Sequence, residues 1–279
     1  MRYEIIDLKK EFPQLKPVSC NPTLTTYLPD NMVEMGRGGQ KRPCLLVCPG
    51  GAYAYCSERE AEPIALNFLS EGCNVFVLHY SVAPYRFPAQ LCEVAAAMEL
   101  IYRNAEAWHC DTDRIAIMGF SAGGHLAAHY SNAWDWPEVR ALFPQSKKVN
   151  ASVLCYPVIS ADPKVAHMGS FQNLLGQETL TPEQTRRFSC NLQVTEQTPP
   201  TFLWHTSTDE SVPVANSLLY AQALDAHGVN FAMHIYPAGW HGLATADDQT
   251  NGDMDSRVFH AHDWLENARK WLKIVFAEG

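Results

Sequence analysis

No stretch of this chain approaches the ~20 consecutive apolar residues that a helix needs to cross a bilayer. Positive charge is scarce: 21 Lys and Arg stand against 30 Asp and Glu, a formal net charge of -9. A phosphate backbone would be repelled by that balance, so nucleic acid is excluded as an expected partner. No CxxC pair occurs, which argues against structural zinc. The nine cysteines lack the spacing of a disulfide framework. Cys44 and Cys48 share one face of a predicted strand but stand too far apart along it to bond. Reduced, mostly buried thiols are expected, as in the cytoplasm. The first residues, Met1-Arg2-Tyr3-Glu4-Ile5-Ile6-Asp7-Leu8-Lys9-Lys10, have no long apolar core of the signal-peptide kind. The expected location is therefore cytoplasmic, with no membrane partner. Internal repeats, low-complexity segments and linkers are also missing.

What is present is an ordinary globular composition, 47% hydrophobic and 18% charged. From about residue 44 onward, short apolar runs alternate with longer helical patterns. Cys44-Leu45-Leu46-Val47-Cys48, Asn74-Val75-Phe76-Val77-Leu78-His79-Tyr80, Arg114-Ile115-Ala116-Ile117-Met118 and Ala151-Ser152-Val153-Leu154-Cys155-Tyr156 read as strands. So do Thr201-Phe202-Leu203-Trp204-His205-Thr206 and Phe231-Ala232-Met233-His234-Ile235-Tyr236. Helices are predicted at about 58–70, 89–108, 213–227 and 256–276, and after the strand at 114–118. Near-continuous apolar strands alternating with helices imply a mostly parallel sheet with helices on both faces. Residues 1–43 are rich in proline and polar residues, with one strand at 24–28 and a hairpin-like loop at 36–40. The alternation breaks between 157 and 200, so the expected organisation is one α/β domain over 1–279 with a cap or lid inserted at about 157–200.

The stretch Gly119-Phe120-Ser121-Ala122-Gly123-Gly124 joins an apolar strand to a helical segment. A serine with glycines two before and two after it, at a strand-to-helix junction, reads as a nucleophile elbow. The same pattern also arises by chance as a glycine-rich loop, so its surroundings decide. In an open parallel sheet, ligands gather at the carboxyl ends of the strands. Gly50-Gly51-Ala52-Tyr53, Ser121, Asp209 and His241 each follow a predicted strand. Serine, then acid, then histidine is the chain order of a hydrolase triad, and an adjacent base is what makes a hydroxyl nucleophilic. Asp209 would orient His241, and His241 would take the Ser121 proton. Backbone N–H groups of Ala122 and of Gly50 or Gly51 are the expected oxyanion donors. Glu210, Asp247 and Asp248 are rival acids, the last two in the wrong order. His125 and His129 stand four apart on the helix after the elbow, a metal-like spacing without a third ligand, and are assigned to packing. Tyr53, Tyr55, Phe171 and Trp240 either line an acyl or alcohol pocket or belong to the core.

At these residues the chain resembles the α/β-hydrolase superfamily, and more closely bacterial esterases near the hormone-sensitive-lipase group. Within that group it is similar to small carbohydrate esterases of the acetyl-xylan and feruloyl type. The resemblance runs from about Leu45 to the C-terminus. It rests on Cys48-Pro49-Gly50-Gly51-Ala52-Tyr53, the 119–127 stretch, His205-Thr206-Ser207-Thr208-Asp209-Glu210-Ser211-Val212-Pro213 and Trp240-His241-Gly242. Lipase-like members carry His-Gly-Gly-Gly where this chain has Pro49-Gly50-Gly51-Ala52, and often Asp where it has Phe120. Those departures argue against a long-chain lipase. The resemblance implies a serine carboxylesterase that removes short acyl groups, acetyl foremost, from carbohydrates such as acetylated xylo-oligosaccharides. It implies no metal and no cofactor. A serine peptidase of prolyl-oligopeptidase type, a general esterase on non-sugar esters and a non-enzymatic binding module are the competing readings. Oligomeric state is left open, self-association included.

Overall fold

A computed structural model describes residues 1–252 and 256–278. Eight strands form one sheet in the order β1-β2-β4-β3-β5-β6-β7-β8. They are β1 Arg2–Asp7, β2 Thr23–Leu28, β3 Arg42–Cys48, β4 Asn74–His79, β5 Cys110–Phe120, β6 Ala151–Cys155, β7 Thr201–Thr206 and β8 Phe231–Tyr236. The pairings from β4 to β8 are parallel, while β1 and β2 add antiparallel to one edge. This is the α/β-hydrolase fold.

The apolar runs are continuous because both faces of the central strands are covered. Leu46 and Cys48 of β3 face a core shared with helices Ala89–Arg103, Ser121–Ala133 and Ala215–Ala226. Leu45 and Val47 face the opposite core, with helices Glu62–Leu69 and Trp264–Glu278. A period of two therefore fills both layers from one strand. β4 lies on one side of β3 and β5 on the other, so the chain reverses its winding direction at β3. The crevice beyond the carboxyl ends of β3 and β5 is the topological switch point, where α/β sheets gather ligands. The Gly50-Gly51 loop and Ser121 both lie there.

Four features differ from the sequence reading. β1 is a strand, although its residues alternate without a strong apolar run. It is an edge strand, paired on one side only, and such strands carry charge on their open side. The loop at 36–40 is not a hairpin, because β2 and β3 are not neighbours; β4 sits between them. The 157–200 segment, expected to be irregular, holds helices Met168–Leu175 and Pro182–Phe188. Thr181 caps the second reciprocally: its hydroxyl accepts the Gln184 N–H at 3.2 Å, and the Gln184 side chain accepts the Thr181 N–H at 2.9 Å. The last helix is α-helical from Trp264, preceded by a 3-10 stretch from Ser256 to Asp263. All nine cysteines are free thiols. No helix among the described residues is long and apolar enough to cross a membrane.

Candidate active site

Ser121 opens its helix directly from the end of β5 with φ 53, a left-handed conformation that non-glycine residues rarely adopt. The turn is tight enough that side chains at the flanking positions have no room. A Cβ on Gly119 would lie 2.1 Å from the Gly123 carbonyl oxygen, and one on Gly123 would lie 2.1 Å from the Cys48 carbonyl oxygen. Those clashes are with backbone, which cannot swing aside. Gly123→Ala is expected to destabilise the fold by ~3 kcal/mol or more, at or beyond the upper end of ordinary overpacking. Urea denaturation checks this, and a loss below ~1 kcal/mol would contradict the tight-turn geometry.

His241 reaches Ser121 from the loop after β8. Its Nε2 is 2.7 Å from Ser121 Oγ, and its Nδ1 is 2.6 Å from Asp209 Oδ2. The carboxylate accepts the Nδ1 proton, leaving the Nε2 lone pair for the serine hydroxyl. Asp209 Oδ1 accepts the backbone N–H groups of Ser211 at 3.0 Å and Val212 at 2.9 Å. His205 Nε2 lies 3.3 Å from Oδ2 while also donating to the Val212 carbonyl at 2.9 Å. Burial works to raise the Asp209 carboxyl, but the hydrogen bonds from His205 and His241 outweigh it. The group is held well below the usual carboxylate range. Of the rival acids, Glu210 is exposed, and Asp247 caps the short helix Asp248–Asn251 through the Gln249 N–H.

The acid loop and the histidine loop are stapled together by side chains that no sequence spacing pointed to. Thr206 and Thr208 hydroxyls each donate to the Gly239 carbonyl at 2.9 Å, and the Gly239 N–H donates back to Thr208 Oγ1. Trp264 Nε1 holds the far side of the histidine loop through the Ala244 carbonyl at 3.0 Å.

Around Ser121 and His241 lies a cleft of about 260 Å³, lined among others by Gly51, Ala52, Tyr55, Arg59, His167 and Ser211. A second lobe of about 450 Å³ shares Ser211 and His241 with it and adds Glu210 and Trp240. The four aromatic candidates divide. Tyr55 and Trp240 line these lobes and are 61% and 44% exposed. Tyr53 and Phe171, proposed as pocket residues from the sequence, are corrected to core positions, at 1% and 0% exposure. Tyr53 OH is 2.9 Å from His125 Nδ1, and Phe171 packs edge-on against the same imidazole.

His125 Nε2 in turn donates to the Phe188 carbonyl at 2.9 Å, so this buried ring clamps the Gly50-Gly51 loop to the 157–200 segment. Burial pushes the His125 imidazole down to about 4, which keeps it neutral at physiological pH. His129 lies one turn further on, stacked against Phe87 and edge-on to Trp136. Among the described residues no group of three or more His, Cys, Asp or Glu could hold a metal ion.

Gly50 also needs correction. Its N–H donates to the buried Glu60 Oε2 at 2.8 Å and is not available to a substrate oxyanion. Among the described residues no protein acceptor lies on the Gly51 N–H. The Ala122 N–H belongs to the first turn of its helix, where backbone donors lack intrahelical partners.

A strand-to-helix serine, a histidine and a buried aspartate, brought together at the carboxyl ends of the parallel strands, are the arrangement of α/β-hydrolases. The BD-FAE family profile matches residues 30–224. The chain belongs to that family, an esterase family of the α/β-hydrolase type. It is 36% identical over 234 residues to endo-1,4-beta-xylanase B of Butyrivibrio fibrisolvens, covering 80% of this chain and 36% of that protein. It is 29% identical to an acetylxylan esterase of Xylanibacter ruminicola, covering 90% of this chain and 48% of the other. The chain thus spans about a third to a half of the length of these curated relatives. An acetyl ester-xyloside bifunctional hydrolase of Caldicellulosiruptor lactoaceticus has a similar structure, with a TM-score of 0.83 and 37% identity. That alignment covers 98% of this chain and 97% of the other.

Proposed function

We propose that this protein is a serine carboxylesterase that releases short acyl groups, acetyl foremost, from carbohydrate esters. The observation that carries the reading is the unbroken hydrogen-bonded series from Ser121 Oγ through His241 to Asp209. Ser121 Oγ attacks the ester carbonyl carbon as its proton passes to His241 Nε2. The carbonyl π electrons move onto oxygen, where the Gly51 and Ala122 N–H groups receive the charge. The tetrahedral adduct collapses, the C–O bond to the alcohol breaks, and His241 returns the proton to the leaving oxygen. Water then gives a proton to His241 and attacks the acyl-enzyme, releasing the acid and restoring Ser121. Throughout, the buried Asp209 carboxylate fixes the tautomer of His241 and stabilises its cationic form.

The carbohydrate assignment draws its support from the relatives' names and from the chemistry of the cleft. Tyr55 and Trp240 offer exposed aromatic faces of the kind that pack on sugar rings, beside the polar Ser211 and Glu210. The 157–200 segment acts as a small cap in this reading, since His167 stands on the cleft wall and Asn173 Nδ2 donates to the Ala52 carbonyl at 2.8 Å. A panel of esters crossing acyl length with sugar and simple alcohols tests it. The expected result is highest kcat/KM for acetyl esters and acetate release from acetylated xylo-oligosaccharides. Preference for butyryl or longer chains, with no release from those oligosaccharides, would overturn it. Cleavage of aminoacyl nitroanilides in preference to esters would favour a peptidase instead.

A further inference from the structure

We propose that Glu60 is a positioning residue: one buried carboxylate that ties the oxyanion-side Gly50-Gly51 loop to the loop carrying His241. The inference rests on the serine-esterase reading above and concerns how its two halves are kept in register.

Glu60 is 3% exposed and makes two different links. Oε2 accepts the Gly50 N–H at 2.8 Å, and Oε1 accepts the Tyr156 hydroxyl at 2.6 Å. Tyr156, at the end of β6, then accepts the Ala244 N–H at 2.9 Å, three residues beyond His241. The Tyr156 ring also stands edge-on to the His241 imidazole, centroids 5.1 Å apart. A single chain of hydrogen bonds therefore runs from the Gly50 peptide through Glu60 and Tyr156 to the histidine loop.

The packing around Gly50 shows how little slack this leaves. A Cβ there would lie 2.6 Å from Glu60 Oε2, 2.8 Å from the Phe120 carbonyl oxygen and 3.0 Å from Ser121 Cβ. The glycine is wedged between the carboxylate and the elbow, so the carboxylate fixes the orientation of the Gly50 peptide. The next peptide presents the Gly51 N–H. Burial raises the Glu60 carboxyl from its ordinary value, while the bonds from Tyr156 and Gly50 oppose that rise. An unpaired buried carboxylate would be costly, and both of its oxygens are occupied here by donors.

A glutamine cannot accept from both donors as the carboxylate does. Its carbonyl accepts from one donor, and its amide then faces the other. Either the Gly50 N–H meets an N–H, or the Tyr156 hydroxyl loses its acceptor. In the first case the Gly50 loop is released; in the second the amide can donate to the Tyr156 oxygen, but the buried hydroxyl proton is left without its acceptor and the link is weakened. The damage falls on the transition state, because the oxyanion donors matter only there.

The test compares Glu60→Gln and Tyr156→Phe with the parent protein and with Ser121→Ala, all checked for folding by circular dichroism. The measurements are kcat and KM for p-nitrophenyl acetate, and inhibition by an alkylboronic acid, which forms a tetrahedral adduct on an active serine. Expected for folded E60Q is a kcat loss of roughly 10–100-fold, a parallel loss in boronate affinity, and KM within about threefold. Y156F keeps the Gly50 link but cuts the chain to the histidine loop outright, and is expected to show a loss of the same pattern. The double variant should lose less than the product of the two single losses, because both changes cut one chain. Near-parent kcat and boronate affinity in both folded E60Q and folded Y156F would overturn the proposal. So would losses explained wholly by the fraction of unfolded protein. Should E60Q fail to fold, unchanged kcat in folded Y156F overturns it equally. Retention of activity by S121A would instead sink the serine-esterase reading, and leaves a different signature from either result.

Discussion

Replacing Ser121 by alanine is expected to lower kcat for p-nitrophenyl acetate by roughly four to six orders of magnitude, with the fold intact. The size follows from what is removed. Without the hydroxyl there is no acyl-enzyme, and the remaining oxyanion donors and binding surface act only on slow attack by water. Structurally the change is mild: alanine occupies the same left-handed backbone as Ser121 and drops one oxygen from a position 8% exposed. Thermal unfolding should shift by no more than a few degrees. A folded variant with near-parental turnover would mean that some other group attacks the ester.

Asp209→Asn is expected to cost about 10³–10⁴-fold in kcat, with KM little changed. The aspartate carboxylate accepts on both oxygens, from Ser211 and Val212 N–H groups on one and from His241 on the other. An asparagine accepts on one side only and turns an N–H₂ toward the other. If that group faces His241, the imidazole must carry its proton on Nε2, and the base for Ser121 is lost. If it faces the Ser211 and Val212 N–H groups instead, the loop loses its anchor. The substitution also has a pH signature. Because the folded-state carboxyl is depressed, its stabilisation is present above the ordinary aspartate range and is lost as pH falls toward the folded-state value. D209N should therefore unfold with a shallower acid-side dependence than the parent, as urea titrations at several acidic pH values would measure.

The sheet was legible because its central strands are buried on both faces and so read as plain apolar runs. The bounds of β7 and β8 coincide with the sequence reading, since Thr201–Thr206 runs into the polar Ser207-Thr208-Asp209 and Phe231–Tyr236 into the turn-forming Pro237-Ala238-Gly239. β1 was illegible because an edge strand needs no continuous apolar run. The 157–200 segment was opaque for another reason: its two helices are short and separated by loops, so no period persists long enough to be read. At the candidate site, Ser121, Asp209 and His241 could be named because each sits at a fixed offset from a strand end. Glu60, Tyr156, His205, Thr206 and Thr208 could not. Their partners lie far away in the chain or across a loop, and an acidic residue at a helix start reads as a solvated one. Tyr53 and Phe171 failed oppositely: an aromatic near the motif is as readily a strut beneath the loop as a wall of the pocket. Nothing in the sequence distinguishes Gly50 from Gly51; the buried Glu60 carboxylate that takes the Gly50 N–H does.

The most direct measurement is titration of the protein with a fluorophosphonate, followed by peptide mass spectrometry. Stoichiometric modification confined to the peptide containing Ser121, with ester turnover falling in proportion to the labelled fraction, is the expected result. Full turnover in protein whose Ser121 is completely modified, or inactivation with the label on another residue, would contradict it.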